Sequence, residues 1–198
     1  VYKRQDLVKR EISGIARSLR QTYLATEGNE KFVMKGDNLY KGNTMLSGNY
    51  KLVDQLKNEQ EVEVSLFFGD VREVTTLKDE SGKREINTKM SSEVYDTLKK
   101  GEEYFATNVD VLGTDYYGYY VPLYQPGTKE FAGSVFCGRT QNQVTQSLRN
   151  TIISMAVVML VIFLAAFIIV LFMVKSIVKS IDCLLYTSPS PRDYAASR

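Results

Sequence analysis

Residues 62–77 read VEVSLFFGDVREVTTL. Apolar and polar residues alternate on both sides of Gly69-Asp70, and such a pair between two period-two runs predicts strands over 62–68 and 71–77 joined by a tight turn. The pattern recurs downstream. EYFATNVDV (103–111), a turn at Gly113 and DYYGYYVPLY (115–124) predict a second hairpin, and QPGTKE leads into a further strand, FAGSVFCGR (131–139). Between the hairpins, SSEVYDTLKKGEE predicts a helix that starts at Ser91 or Ser92 and ends at Gly101.

Upstream the period changes. In DLVKREISGIARSLRQTYLATE, Val8, Ile12, Ile15, Leu19 and Tyr23 recur at intervals of three and four, the spacing of one helical face. Such a face can pack on a sheet, pair with a partner helix, or do both along its length. Gly28, Gly36, Gly42 and Gly48 stand among Asn and Asp in residues 27–49, a composition of turns and loops. NYKLVDQLKNEQE then places Leu52, Val53 and Leu56 on one side of a short helix with Asn49 as its N-cap. Five strands with helices before and between the hairpins describe an α+β domain with a central antiparallel sheet.

NTIISMAVVMLVIFLAAFIIVLFMV (150–174) carries no charge and exceeds the roughly 20 apolar residues that cross a hydrocarbon core. Lys175 and Lys179 follow it and Arg149 precedes it, so the positive-inside rule puts the C-terminal side in the cytoplasm and residues 6–149 outside. Cys137 stands alone in that outer stretch, which excludes an internal disulfide framework. The chain has no histidine, the usual general base and transition-metal ligand. No nucleophile, cofactor or phosphate-loop motif is assembled, so the reading is a non-enzyme without cofactor or metal. A formal net charge of +2 gives no case for nucleic acid, and the tyrosine-rich hairpin carries Asp110 and Asp115 instead of a basic groove.

The two ends differ from what lies between them. Val1-Tyr2-Lys3-Arg4-Gln5 can be written GTG TAT AAG AGA CAG, and the opposite strand, shifted by one base, encodes Cys183-Leu184-Leu185-Tyr186-Thr187. This resembles the transposase-end adapter of sequencing libraries. Residues 1–5 and 183–198 are therefore expected to be adapter translations, with the gene continuing past both ends.

The run from VSLFFGD through DESGKR and KKGEEYFATNVDVLGTDYYGYYVPL to GSVFCGR resembles the single Cache sensor domain of bacterial methyl-accepting chemotaxis receptors. The resemblance implies a PAS-like fold over residues 31–139, a membrane-proximal helix over 6–30, a juxtamembrane stalk over 140–149, and the start of a HAMP-like linker over 175–182. It also implies a first transmembrane helix before residue 6, a cytoplasmic signalling region after 182, and a homodimer paired through the membrane-proximal helix along Val8, Ile12, Ile15 and Leu19. A histidine kinase or diguanylate cyclase could follow the same linker, and a ligandless membrane-anchored structural domain is a reading of another class.

In a Cache fold the ligand lies between one sheet face and the loops after the first hairpin. Arg72, Thr75, Arg84 and Lys89 come from that region, with Tyr104, Tyr117 and Tyr119 of the second hairpin as an apolar wall with hydroxyl tips. Guanidinium pairs with carboxylate through two parallel hydrogen bonds, so a small organic acid or similar solute outside the cell is the expected partner.

Overall fold

The computed structural model describes residues 2–111 and 113–187, so Val1 and the part of the adapter-like tail from residue 188 onward lie outside the described residues. The chain forms two units, Val1–Thr145 and Gln146–Arg198.

The first unit opens with α1 (Tyr2–Ala25), followed by β1 (Phe32–Lys35), β2 (Asn38–Lys41), β3 (Thr44–Met45) and α2 (Lys51–Gln60). Then come β4 (Glu63–Phe68), β5 (Val71–Thr75), α3 (Ser92–Lys99), β6 (Tyr104–Val111), β7 (Thr114–Tyr124), β8 (Phe131–Thr140) and the first residues of α4 (Gln141–Thr187). The expected hairpins form β4–β5 and β6–β7, and β8 joins them in a five-stranded antiparallel sheet of order β5-β4-β8-β7-β6. Ser91 caps α3 by accepting a hydrogen bond from the Val94 amide, as the sequence suggested.

β8 sits at the centre, buried from Ala132 to Gly138, and its small residues make room. At Gly133 (φ +155°) a Cβ would stand 2.0 Å from the Phe67 carbonyl oxygen, so only glycine lets β8 pass β4 there. At Gly138 and Gly118 the space of a side chain is filled by the ring of Phe136, 2.5 and 2.8 Å from where each Cβ would stand.

The two sheet faces have different covers. On one, Val64, Leu66, Val74, Tyr119, Val121, Val135 and Cys137 pack with Val8, Ile12, Ala16, Leu19 and Tyr23 of α1. On the other, Phe67, Tyr120 and Phe136 pack with Met90 and with Val94 and Leu98 of α3. Of the expected pairing seam, Val8, Ile12 and Leu19 are only 6%, 0% and 1% exposed because they pack on the apolar sheet face, while Ile15 is half-buried. Burial likewise pushes the Cys137 thiol far up, as fits a small core residue.

The stretch expected to be loops folds into a separate three-stranded meander, β1-β2-β3. Its glycines serve the turns: Gly36 (φ 63°) and Gly42 (φ 58°) take the left-handed conformation between strands. Lys41 of β2 is buried, and its ammonium donates to the carbonyls of Leu24 (2.5 Å), Thr26 and Gly28 (2.7 Å), satisfying acceptors that the end of α1 leaves open. Burial lowers the Lys41 pKa. The expected cap at Asn49 is not used: Tyr50 occupies the N-cap of α2 with no side-chain hydrogen bond.

β5 ends at Thr75, short of the expected Leu77, and its pairing with β4 slips between Leu66 and Phe67. Glu73 is the extra residue of this bulge. It is buried, accepts a hydrogen bond from the Ser47 hydroxyl at 3.2 Å, and has its pKa raised by burial.

α4, most of which lies in the second unit, carries within Gln141–Lys175 a stretch long and apolar enough to cross a membrane. Its apolar side chains from Ile152 to Val174 are exposed.

Two outcomes follow for thermal melts of the chain in detergent. Gly133→Ala should cost about 3 kcal/mol through overpacking, against about 1 kcal/mol for Gly69→Ala, since Gly69 (φ 57°) has no atom within 4 Å of its Cβ position. A carboxyl whose folded pKa is raised gives stability that is present at low pH and lost as pH rises through that pKa. Glu73→Gln should therefore raise the melting temperature near pH 8 and leave it unchanged near pH 4, where Glu73 is itself neutral.

Candidate ligand-binding site

The β5 register places Arg72 opposite Phe67, with the guanidinium 5.0 Å from the ring centroid. The chain beyond the hairpin then returns along β5. The Arg72 amide donates to the Thr88 carbonyl at 2.8 Å, the Asn87 amide to the Arg72 carbonyl at 2.8 Å, and Val71 bridges Lys89. Residues 85–91 thereby form one wall and lead into the N-terminus of α3, whose dipole favours negative charge. Tyr104, Ala106, Asn108, Val109 and Asp110 of β6 form the opposite wall, and Tyr120 lies in the floor. The space between holds about 470 Å³ and opens to solvent.

Arg72 is the main polar feature of this pocket. It is 8% exposed, and its Nη1 donates to Thr88 Oγ1 at 2.8 Å and to the Glu85 carbonyl at 3.5 Å. Among the described residues its buried Nε has no partner. Burial lowers its pKa, opposed by the nearby Tyr120 and Glu85. A guanidinium that is partly desolvated and lines an open pocket is prepared for a carboxylate.

Tyr120 is packed by Phe136, Phe67 and Tyr104 with ring centroids at 4.8, 6.3 and 6.3 Å, and burial pushes its phenol up to about 12. The Tyr104 hydroxyl donates to Glu93 at 3.0 Å, which together with burial raises its pKa. At the rim Lys89 pairs with Asp70 at 2.8 Å, a contact that raises the pKa of the one and lowers that of the other.

Of the residues expected to meet a ligand, the fold brings Arg72, Lys89 and Tyr104 together and sends the others elsewhere. Thr75 is buried beside Ser65, hydroxyl to hydroxyl at 2.8 Å. Arg84 turns to α2, where it grips both carboxylate oxygens of Asp54 at 2.9 and 2.7 Å, donates to the Thr75 carbonyl at 2.7 Å and stacks 3.9 Å from the Tyr50 centroid. Tyr117 and Tyr119 face α1, and the Tyr119 hydroxyl donates to Glu103 at 2.5 Å. Tyr120, Thr88, Glu85 and Asp110 complete the pocket instead. Strand alternation already set Tyr120 on the face opposite Tyr119, and the cross-strand pair Tyr104↔Tyr120 is the signal that would have found it.

Residues 43–151 match the family described as Single cache domain 3, more than half of the 198-residue chain. The chain belongs to that family. Among solved structures, the sensor domain of E. coli DcuS is similar over 74% of this chain and 98% of that one, with a TM-score of 0.52 and 17% identity. That likeness concerns the fold: an α+β Cache domain with a long N-terminal helix over an antiparallel sheet. No curated protein sequence matches the chain significantly. Among the described residues, this Cache domain holds no group of three or more His, Cys, Asp or Glu placed for a metal ion.

Arg84→Ala should destabilise this Cache domain by about 2 kcal/mol, the worth of charge-assisted hydrogen bonds, and leave ligand affinity unchanged. Melting and titration of the same variant check both halves.

Proposed function

We propose that this Cache domain is the extracytoplasmic ligand-sensing part of a bacterial chemotaxis receptor, that it binds a small organic acid or similar solute at Arg72, and that it passes occupancy to the membrane helix. The observation that carries the reading is the largely buried, partly desolvated Arg72 guanidinium among the residues that line a pocket open to solvent.

A route for the signal is supported by strand alternation. Glu103 and Tyr104 are neighbours: Tyr104 lines the pocket, while Glu103 takes two hydrogen bonds from Arg17 of α1, at 3.0 and 2.5 Å. Arg17 thereby holds the Glu103 carboxyl below its ordinary range. Tyr120 and Tyr119 repeat the arrangement on β7, one in the pocket floor and the other on Glu103. A ligand that moves the β6–β7 edge therefore moves the grip on α1, while β8 continues into α4 at Gln141. Such a ligand biases the two states only by its differential affinity for them. A homodimer would pair through the outward side of α1, where Gly14, Ser18 and Thr22 line a groove with Leu52 and Leu56 of α2.

Melting of the whole chain in detergent against a panel of small carboxylates, amino acids and neutral solutes tests the reading. A saturable rise in melting temperature, present in Arg84→Ala and absent in Arg72→Ala, is the expected result. Binding that survives Arg72→Ala, or no binding by any compound, would overturn it.

A further inference from the structure

We infer that the solute recognised at Arg72 is a zwitterion, carrying a carboxylate for the guanidinium and an ammonium group on the adjacent carbon for Glu85; this rests on the reading of the pocket as the ligand site.

The charges on the walls lead there. The lining contains two cations, Arg72 and Lys89, and two carboxylates, Glu85 and Asp110. Lys89 is already paired with Asp70, so Arg72 is the cation left for a ligand. A dianion would satisfy Arg72 with one end and confront Glu85 and Asp110 with the other, a like-charge juxtaposition that costs affinity.

Glu85 lies at the same end of the pocket as Arg72. Its backbone carbonyl accepts from Arg72 Nη1 and, at 3.3 Å, from the Thr88 hydroxyl. Its carboxylate is near enough to act electrostatically on Arg72, yet among the described residues no ion pair joins the two. Among the described residues the carboxylate has no hydrogen-bond donor of its own, although Glu85 is half-buried. A ligand that brought only a carboxylate to Arg72 would cover Glu85 without replacing the water it loses, which costs binding energy. A ligand with carboxylate and ammonium on one carbon fills both places at once. Beyond them Met90, Val94 and Tyr120 offer an apolar surface for the rest of the molecule.

The test is titration calorimetry of the whole chain in detergent with the neutral α-amino acids, with their counterparts lacking the amino group (propionate for alanine, 4-methylpentanoate for leucine, 3-phenylpropionate for phenylalanine), and with succinate. The expected result is that an amino acid binds at least about tenfold tighter than its counterpart and that succinate does not compete. Glu85→Gln should remove most of that preference without weakening the counterpart, and Arg72→Lys should weaken both. A deaminated acid or succinate that binds as tightly as the amino acid, while still depending on Arg72, would overturn the zwitterion and keep the pocket. If no compound binds, or if Arg72→Lys changes nothing, the pocket reading falls as well.

Discussion

Between Leu66 and Phe67 of β4 the pairing with β5 slips by one residue, so that Val74 stands opposite Leu66 and Arg72, not Glu73, stands opposite Phe67. In an unbroken ladder Glu73 would follow Val74 onto the face of Phe67, and Arg72 would turn towards α1. The bulge therefore decides the sign of the charge that the open face of the sheet presents. It also sets Arg72 where the returning segment 85–91 can cover it, since the Arg72 backbone itself bonds Thr88 and Asn87. β8 presses against this same part of β4 through Gly133, whose φ of +155° and contact with the Phe67 carbonyl leave no room for a side chain. The core, the bulge and the pocket are thus one packing problem.

The two faces of the sheet divide the work. One is sealed by α1, which spends most of its apolar stripe on the domain's own core. The other is only partly closed by α3 and by segment 85–91, and the remaining gap holds the pocket. Because side chains alternate along a strand, consecutive residues report to different partners. Tyr104 and Tyr120 meet the pocket, while Glu103 and Tyr119 meet Arg17 of α1.

Much of this was legible in the sequence. Period-two runs marked all five strands of the main sheet, and the serine before α3 marked its cap. What could not be read was register. The tyrosines of β7 sort by parity into two faces, but parity does not say which face meets α1: Tyr117 and Tyr119 pack on that side, and Tyr120 lines the pocket. Arg84 looked like Arg72 in composition, yet its ion pair with Asp54 depends on where α2 lands. The three-and-four spacing of α1 gave an amphipathic helix and left its partner open. The small meander was hidden because its strands are only two to four residues long, and because its anchor, Lys41, is a residue type that is almost never fully buried.

The most direct test of the Arg72 placement is the arginine side-chain Nε–H spectrum of the isotope-labelled chain in detergent, recorded with and without a bound amino acid, with Arg72 and Arg84 assigned by substitution to lysine. The account predicts that the Arg72 Nε–H resonance shifts on binding, while Arg84, already held by Asp54 and Thr75, stays in place. A ligand that binds and moves the Arg84 resonance, or leaves that of Arg72 untouched, would contradict it.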